Sequence, residues 1–162
     1  MKRGEMVVLG LVVVLVLVSL VRNVVNKQES GGPDPGIPYY STALATVASD
    51  AMDIYREQGC KSCHSLWTVR NMLENVPAPK LDGIGSIRTE EWIFQYLSTA
   101  NPQAILPSRL KQEFRMPSFA QLPEHERRLL ASYLASLKVK DWYLDETRKA
   151  EYEKLTGKEY RP

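Results

Sequence analysis

Five consecutive residues, Cys60-Lys61-Ser62-Cys63-His64, carry the most specific chemistry in the sequence. Two thiols three positions apart, followed at once by an imidazole, form the attachment pattern of a c-type haem. The spacing follows from the reaction. Each thiol adds across one vinyl group of the porphyrin to form a thioether, and the next residue is then held under the ring. There its imidazole can bind iron as the proximal axial ligand. Other uses of the same residues fit less well. A redox dithiol wants a βαβ context, and none is visible. A structural zinc site needs about four N or S ligands, whereas the chain has two Cys and two His in all, with His125 the remaining imidazole. A disulfide between Cys60 and Cys63 leaves His64 without a role.

A haem iron bearing one His has a second axial position. Met116, in Met116-Pro117-Ser118-Phe119, is the candidate, because it follows a loop rather than lying on a helix face. A thioether is a soft, neutral ligand that raises the potential of a His-ligated haem. Methionine is also a common core filler. Of the others, Met72 lies too close to the pentad to cross the ring easily, Met52 sits on the helix before it, and Met1 and Met6 are in the N-terminal segment. His125, in the charged run Pro123-Glu124-His125-Glu126, reads as a surface residue; it, or an open position, is the alternative to Met116.

The rest of the chain must present these ligands. Its 162 residues allow one modest domain plus accessories. A net charge of +2 gives no electrostatic case for nucleic-acid binding. Both cysteines lie in the pentad, so there is no disulfide framework. Covalent haem implies export, because c-type attachment takes place on the outer face of the bacterial cytoplasmic membrane or in an equivalent organelle space.

Met6 to Val21 is an unbroken apolar run, mostly Val and Leu. Extended to Val25 it covers about 30 Å of helix, near the hydrocarbon thickness, with Arg22 snorkelling at the interface. The competing reading is a cleaved signal peptide with Lys2 and Arg3 as its basic start. No small-x-small cleavage site follows the run, so residues 1–27 are expected to be a retained transmembrane anchor. The haem then sets orientation: the long C-terminal part lies on the periplasmic side. Residues 28–40, rich in Gly and Pro, read as a tether.

From Ser41 the pattern turns helical. Leu44, Val47, Ala48, Ala51, Ile54 and Tyr55 recur at helical spacing, and Gly59 ends the run just before Cys60. A second helix is expected after Thr89 as N-cap, with Glu90 and Glu91 in its first turn. A third is expected from Pro123, with Leu129, Leu130, Tyr133, Leu134 and Leu137 on one face. No strand pattern competes, so the domain is expected to be all-α. Trp67, Val69, Met72 and Leu73 suggest a short extra turn over the haem edge. Arg70, Lys80, Arg88, Arg109, Lys111 and Arg115 could pair with haem propionates or form a docking rim. Acidic residues balance the basic ones over 41–137, so most of these charges read as solvated surface.

Residues about 41–138 resemble a class I cytochrome c domain. The matching pieces are the helix leading into Gly59 and the pentad, Pro79-x-Leu81-x-Gly83, a middle helix, Met116-Pro117-Ser118-Phe119, and a last helix with Ala131-Ser132-Tyr133-Leu134. The resemblance implies that the first and last helices cross near the haem, with Tyr55 and Tyr133 as candidates for the contact. It also implies one haem c bound through Cys60 and Cys63. In the family the carbonyl of Pro79 would accept the second imidazole hydrogen bond of His64, fixing the ring and tuning its basicity. This chain has Ala78-Pro79 where the family often has Gly-Pro.

The 139–162 extension is highly charged, with Trp142, Tyr143, Tyr152, Leu155 and Tyr160 along it. It reads either as a docking element with aromatic anchors or as a partly ordered terminus. The expected architecture is a single N-terminal transmembrane helix plus an all-α haem domain. The expected function is electron transfer, as the membrane-anchored cytochrome c subunit of a respiratory or photosynthetic complex. Small cytochrome subunits of bacterial nitric oxide reductases, cytochrome oxidases and bc-type complexes are similar in arrangement. Expected partners are membrane lipid, other subunits of the complex and a soluble redox carrier. The alternatives are a freely tethered shuttle between complexes, a gas-binding haem sensor or enzyme if Met116 does not bind, and a mainly structural subunit.

Overall fold

The computed structural model describes residues 10–22, 36–67, 76 and 78–161, and the chain divides into two compact units, Met1–Ile37 and Pro38–Pro162. In the first unit the described residues 10–22 form a helix, α1. At 1.5 Å per residue it is about 20 Å long, against about 30 Å of hydrocarbon. Among the described residues no helix is long and apolar enough to cross a membrane. The transmembrane helix expected over 1–27 is therefore corrected: apolar composition alone does not make a spanning length of helix. Residues 1–9 and 23–27 lie outside the described residues, as do 28–35 of the expected tether.

The second unit is built on three helices. α2 (Ala45–Glu57) buries Ala51, Ile54 and Tyr55, the stripe that helical spacing demands. It ends where Gln58 N–H reaches the Ile54 carbonyl and Gly59 takes φ +67°, a left-handed position that costs glycine little. α3 (Glu90–Ser98) starts at Thr89, whose hydroxyl accepts from Trp92 N–H at 3.2 Å. A one-turn α4 (Pro102–Ile105) follows. α5 (Glu124–Ser136) begins after Pro123, whose carbonyl accepts from the Glu126 and Arg127 N–H groups. Glu124 and Glu126 meet the positive end of its dipole. α5 packs on both α2 and α3. Ala51 on α2 and Ala131 on α5 have no exposed surface, and side chains this small permit close approach of the helices. Tyr55 and Tyr133 are buried in the same core.

The all-α expectation is corrected by one short ribbon. β1 (Tyr39–Ser41) pairs antiparallel with β2 (Leu137–Val139), in the register Tyr39↔Val139, Tyr40↔Lys138 and Ser41↔Leu137. Three residues per strand are too few to show an alternating pattern. The ribbon draws Tyr39 and Tyr40, at the end of the expected 28–40 tether, into the folded unit. The Ser41 and Ser136 hydroxyls lie 2.9 Å apart beside it.

The 139–162 extension folds back on the domain. A 3₁₀ turn (Asp141–Tyr143) leads into α6 (Leu144–Thr156), which Gly157 ends at φ +70°. Tyr143 meets Tyr39 edge-on at 5.5 Å, and Arg109 Nε donates to the Lys154 carbonyl at 3.2 Å.

A 3₁₀ turn at Ile84–Ser86 sits so close to α5 that a Cβ on Gly85 would overlap the Ala135 carbonyl. The neighbour is helix backbone and cannot swing aside. Gly85→Ala should therefore destabilise the domain by about 1–3 kcal/mol or more, the usual cost of overpacking. Urea denaturation checks this; an unchanged midpoint would contradict the packing described.

Candidate functional site

The pentad occupies a tight turn at the end of α2. Cys60–Ser62 form a 3₁₀ turn, with Ser62 N–H donating to the Gly59 carbonyl at 3.0 Å. The Cys63 and His64 N–H groups both donate to the Cys60 carbonyl, at 3.2 and 3.0 Å. Tyr55, one turn back on α2, donates its hydroxyl to the His64 carbonyl at 3.0 Å. The helix thus grips the residue that carries the imidazole. The two cysteines are not joined in a disulfide; Cys60 is half-buried and Cys63 exposed. Burial pushes the Cys60 thiol up to about 11, so it is held in the protonated form near neutrality.

His64 Nδ1 lies 2.8 Å from the Pro79 carbonyl. A carbonyl only accepts, so Nδ1 carries the proton and Nε2 keeps its lone pair when the ring is neutral. Burial lowers the His64 pKa, and the bond to Pro79 opposes that shift. Burial favours the neutral ring and the bond to Pro79 fixes its tautomer, and a metal needs both from an imidazole. The bond is braced on one side by Leu81 N–H donating to the Ser65 carbonyl at 3.0 Å.

A cleft of about 250 Å³ opens over this turn. Cys60, Cys63, His64, Pro79 and Met116 all line it, so the structure brings together all five residues singled out in the sequence. The walls between them are apolar: Leu81 and Ile84 from the loop, Ile93 and Leu97 from α3, Leu130 and Leu134 from α5, and Phe119 after Met116. Met116 is held by its backbone, through Gln103 Nε2 donating to its carbonyl at 3.0 Å. Two residues on, Ser118 donates its hydroxyl to the Thr99 carbonyl at 2.8 Å.

His125 is exposed on the first turn of α5 and is not part of the cleft lining. Met52 packs against the core beside α2. Met72, Val69, Leu73 and Arg70 lie outside the described residues. Trp67 has φ +53° and donates its indole N–H to the Tyr133 hydroxyl at 3.2 Å. That bond links the segment after His64 to α5.

A family model, cytochrome c, matches residues 48–138, more than half of the chain. The chain belongs to the cytochrome c family. No curated protein and no solved structure matched it. Membership of the cytochrome c family brings haem c, bound covalently, typically through two Cys. The cleft suits that group. It has two cysteines at the attachment spacing, an imidazole whose Nδ1 is engaged and whose Nε2 remains for a metal, a thioether in its lining, and apolar walls for a porphyrin.

Some of the lining was not anticipated. Glu151, Lys154 and Leu155 of α6 reach the cleft, as do Trp92 and Tyr96, while Arg109, a candidate for the haem propionates in the sequence, lines it as well. Arg88 pairs with Glu151 at 3.1 Å and lies over the Trp92 ring, 4.8 Å from its centroid. Burial raises the Glu151 carboxyl above its usual range and Arg88 pulls it back. The α6 sequence has a thin apolar face, so amphipathic periodicity gave no signal for this contact.

Proposed function

We propose that this cytochrome c is an electron-transfer protein whose haem iron is held between His64 and Met116, and that it works as a cytochrome c subunit of a membrane electron-transport complex. The observation that carries the first part is the convergence of Cys60, Cys63, His64 and Met116 on one apolar cleft. Haem c supplies a one-electron ferric/ferrous couple. The chain's own contribution is to bind, orient and shield. Cys60 and Cys63 fix the ring covalently at the α2 end. Pro79 and Tyr55 hold His64 from behind, through its Nδ1 and its carbonyl. Gln103 and Ser118 hold the strand that carries Met116. Held by His64 and Met116, the iron would have no position left for a substrate, and the apolar walls would exclude water from it.

Covalent attachment places the haem domain outside the cytoplasm in this reading, on the periplasmic side of the bacterial membrane. Exposed aromatic side chains on the extension, Trp142 and Tyr152, suit a contact with another subunit of the complex or with a soluble redox carrier. A second reading, a shuttle that visits several complexes, is favoured by one observation. α6 already satisfies its cleft-facing groups within its own chain, through Arg88 and Arg109.

Met116→Ala tests the ligand assignment. It should leave haem attached, lower the reduction potential and open the iron to carbon monoxide. An unchanged spectrum and potential would rule Met116 out. Gentle detergent extraction of native membranes, with sizing at the haem absorption band, separates the two readings. Comigration with a large assembly is the expected result. Migration alone, under conditions that keep other complexes intact, would favour the shuttle.

A further inference from the structure

The C-terminal extension is neither a loose terminus nor only an outward-facing element. One turn of α6 contributes Glu151, Lys154 and Leu155 to the wall of the cleft. Its position is locked at both ends. Thr147 sits where Gly83, at φ +80°, leaves no room for a side chain: a Cβ there would overlap Val139 and lie 3.5 Å from Thr147. At the other end Gly157 lies against the Arg109 side chain, whose Nε holds the Lys154 carbonyl.

The Arg88–Glu151 pair differs from the helix-surface pairs. Its side chains are 25% and 14% exposed, whereas Arg128 and Glu124 are 56% and 61% exposed. Arg88 is further fixed by Nη1 donating to the Ile87 carbonyl at 2.9 Å, and its buried Nε has no hydrogen-bond partner among the described residues. A charge buried in the wall of an apolar cleft is poorly screened, so it acts on anything inside far more strongly than a surface charge does. Reduction adds one negative charge to a haem. An anionic wall residue therefore opposes reduction and a cationic one favours it.

We propose that α6 is a potential-setting wall of the haem cleft, in which Glu151 lowers and Lys154 raises the reduction potential of the haem. This rests on the reading that the cleft holds the haem. Glu151 pairs with Arg88 from the segment before α3, and Arg109 from the loop after α4 and Lys154 on the next turn of α6 line the same cleft. Glu151 is the buried anion among them, held rigidly by Arg88. Lys154 is exposed, so water screens it and its effect is the smaller of the two.

The test is the midpoint potential of the haem-loaded full chain and two charge-neutralising variants, at pH 8 and low ionic strength. Glu151→Gln should shift the potential upward. Lys154→Gln should shift it downward by a smaller amount, and the Lys154→Gln shift should shrink as salt is added. Opposite signs are the signature of a field effect. Shifts of the same sign, or no shift in either variant, would overturn the proposal. If Glu151→Gln fails to take up haem, the surface variant Lys154→Gln decides alone, and a potential equal to wild type overturns it. If the wild-type chain shows no reversible one-electron couple at all, the electron-transfer reading itself fails and this inference falls with it.

Discussion

The hydrogen bond between His64 Nδ1 and the Pro79 carbonyl, at 2.8 Å, is the constraint on which the site depends. It decides which ring nitrogen keeps a lone pair, and it fixes the plane of the ring. To make it, the turn after α2 and the loop carrying Pro79 must be held together while burying little else that is polar. The chain does this with one backbone bond, Leu81 N–H to the Ser65 carbonyl, and one side-chain bond, the Tyr55 hydroxyl to the His64 carbonyl. The loop then runs through Gly83 and Gly85, where the missing side chains let β2, α6 and α5 close upon it. Helix packing and ligand geometry are thus one problem. Moving α5 outward would loosen the Ile84–Ser86 turn and, with it, the loop that presents Pro79.

The parts of this arrangement that are local in sequence were legible there. The pentad needs no tertiary information, because two thiols and an imidazole at that spacing define the attachment chemistry. The Thr89 cap and the Pro123 start act within one turn of their own helices. Met116 stood out because it follows a loop rather than lying on a helix face. What stayed hidden depends on long-range pairing. The ribbon joins Tyr39–Ser41 to Leu137–Val139, three residues from each end of the domain, too short for a period to emerge. α6 is held by Arg88–Glu151 and by Arg109 on the Lys154 carbonyl, polar contacts that leave no apolar stripe. At the N-terminus hydropathy misled in the other direction: the run of Val and Leu suggested a span, while the described helix covers 10–22.

The extension changes the view of the cleft as a whole. The family match ends at residue 138, yet the folded unit continues beyond it, and Glu151, Lys154 and Leu155 line the same cavity as Cys60, Cys63, His64 and Met116. Residues outside the family pattern therefore help line the cleft proposed to hold the haem. Burial and charge both act on a potential. The apolar walls disfavour the more highly charged state, while the individual charges of α6 set the local field. The family brings covalent haem c, and in the proposal above the charges of α6 add to its electrostatic setting.

The central claim is that Cys60 and Cys63 carry one covalent haem in this cleft. The most direct measurement is the intact mass of the purified protein, followed by proteolysis and mass analysis of the peptide spanning residues 60–64. The account predicts one haem per chain, retained in acidified organic solvent and found on that peptide. It also predicts loss of the covalent haem when both cysteines are replaced. A native chain at the mass of the bare polypeptide, or a haem that extracts freely into solvent, would contradict it.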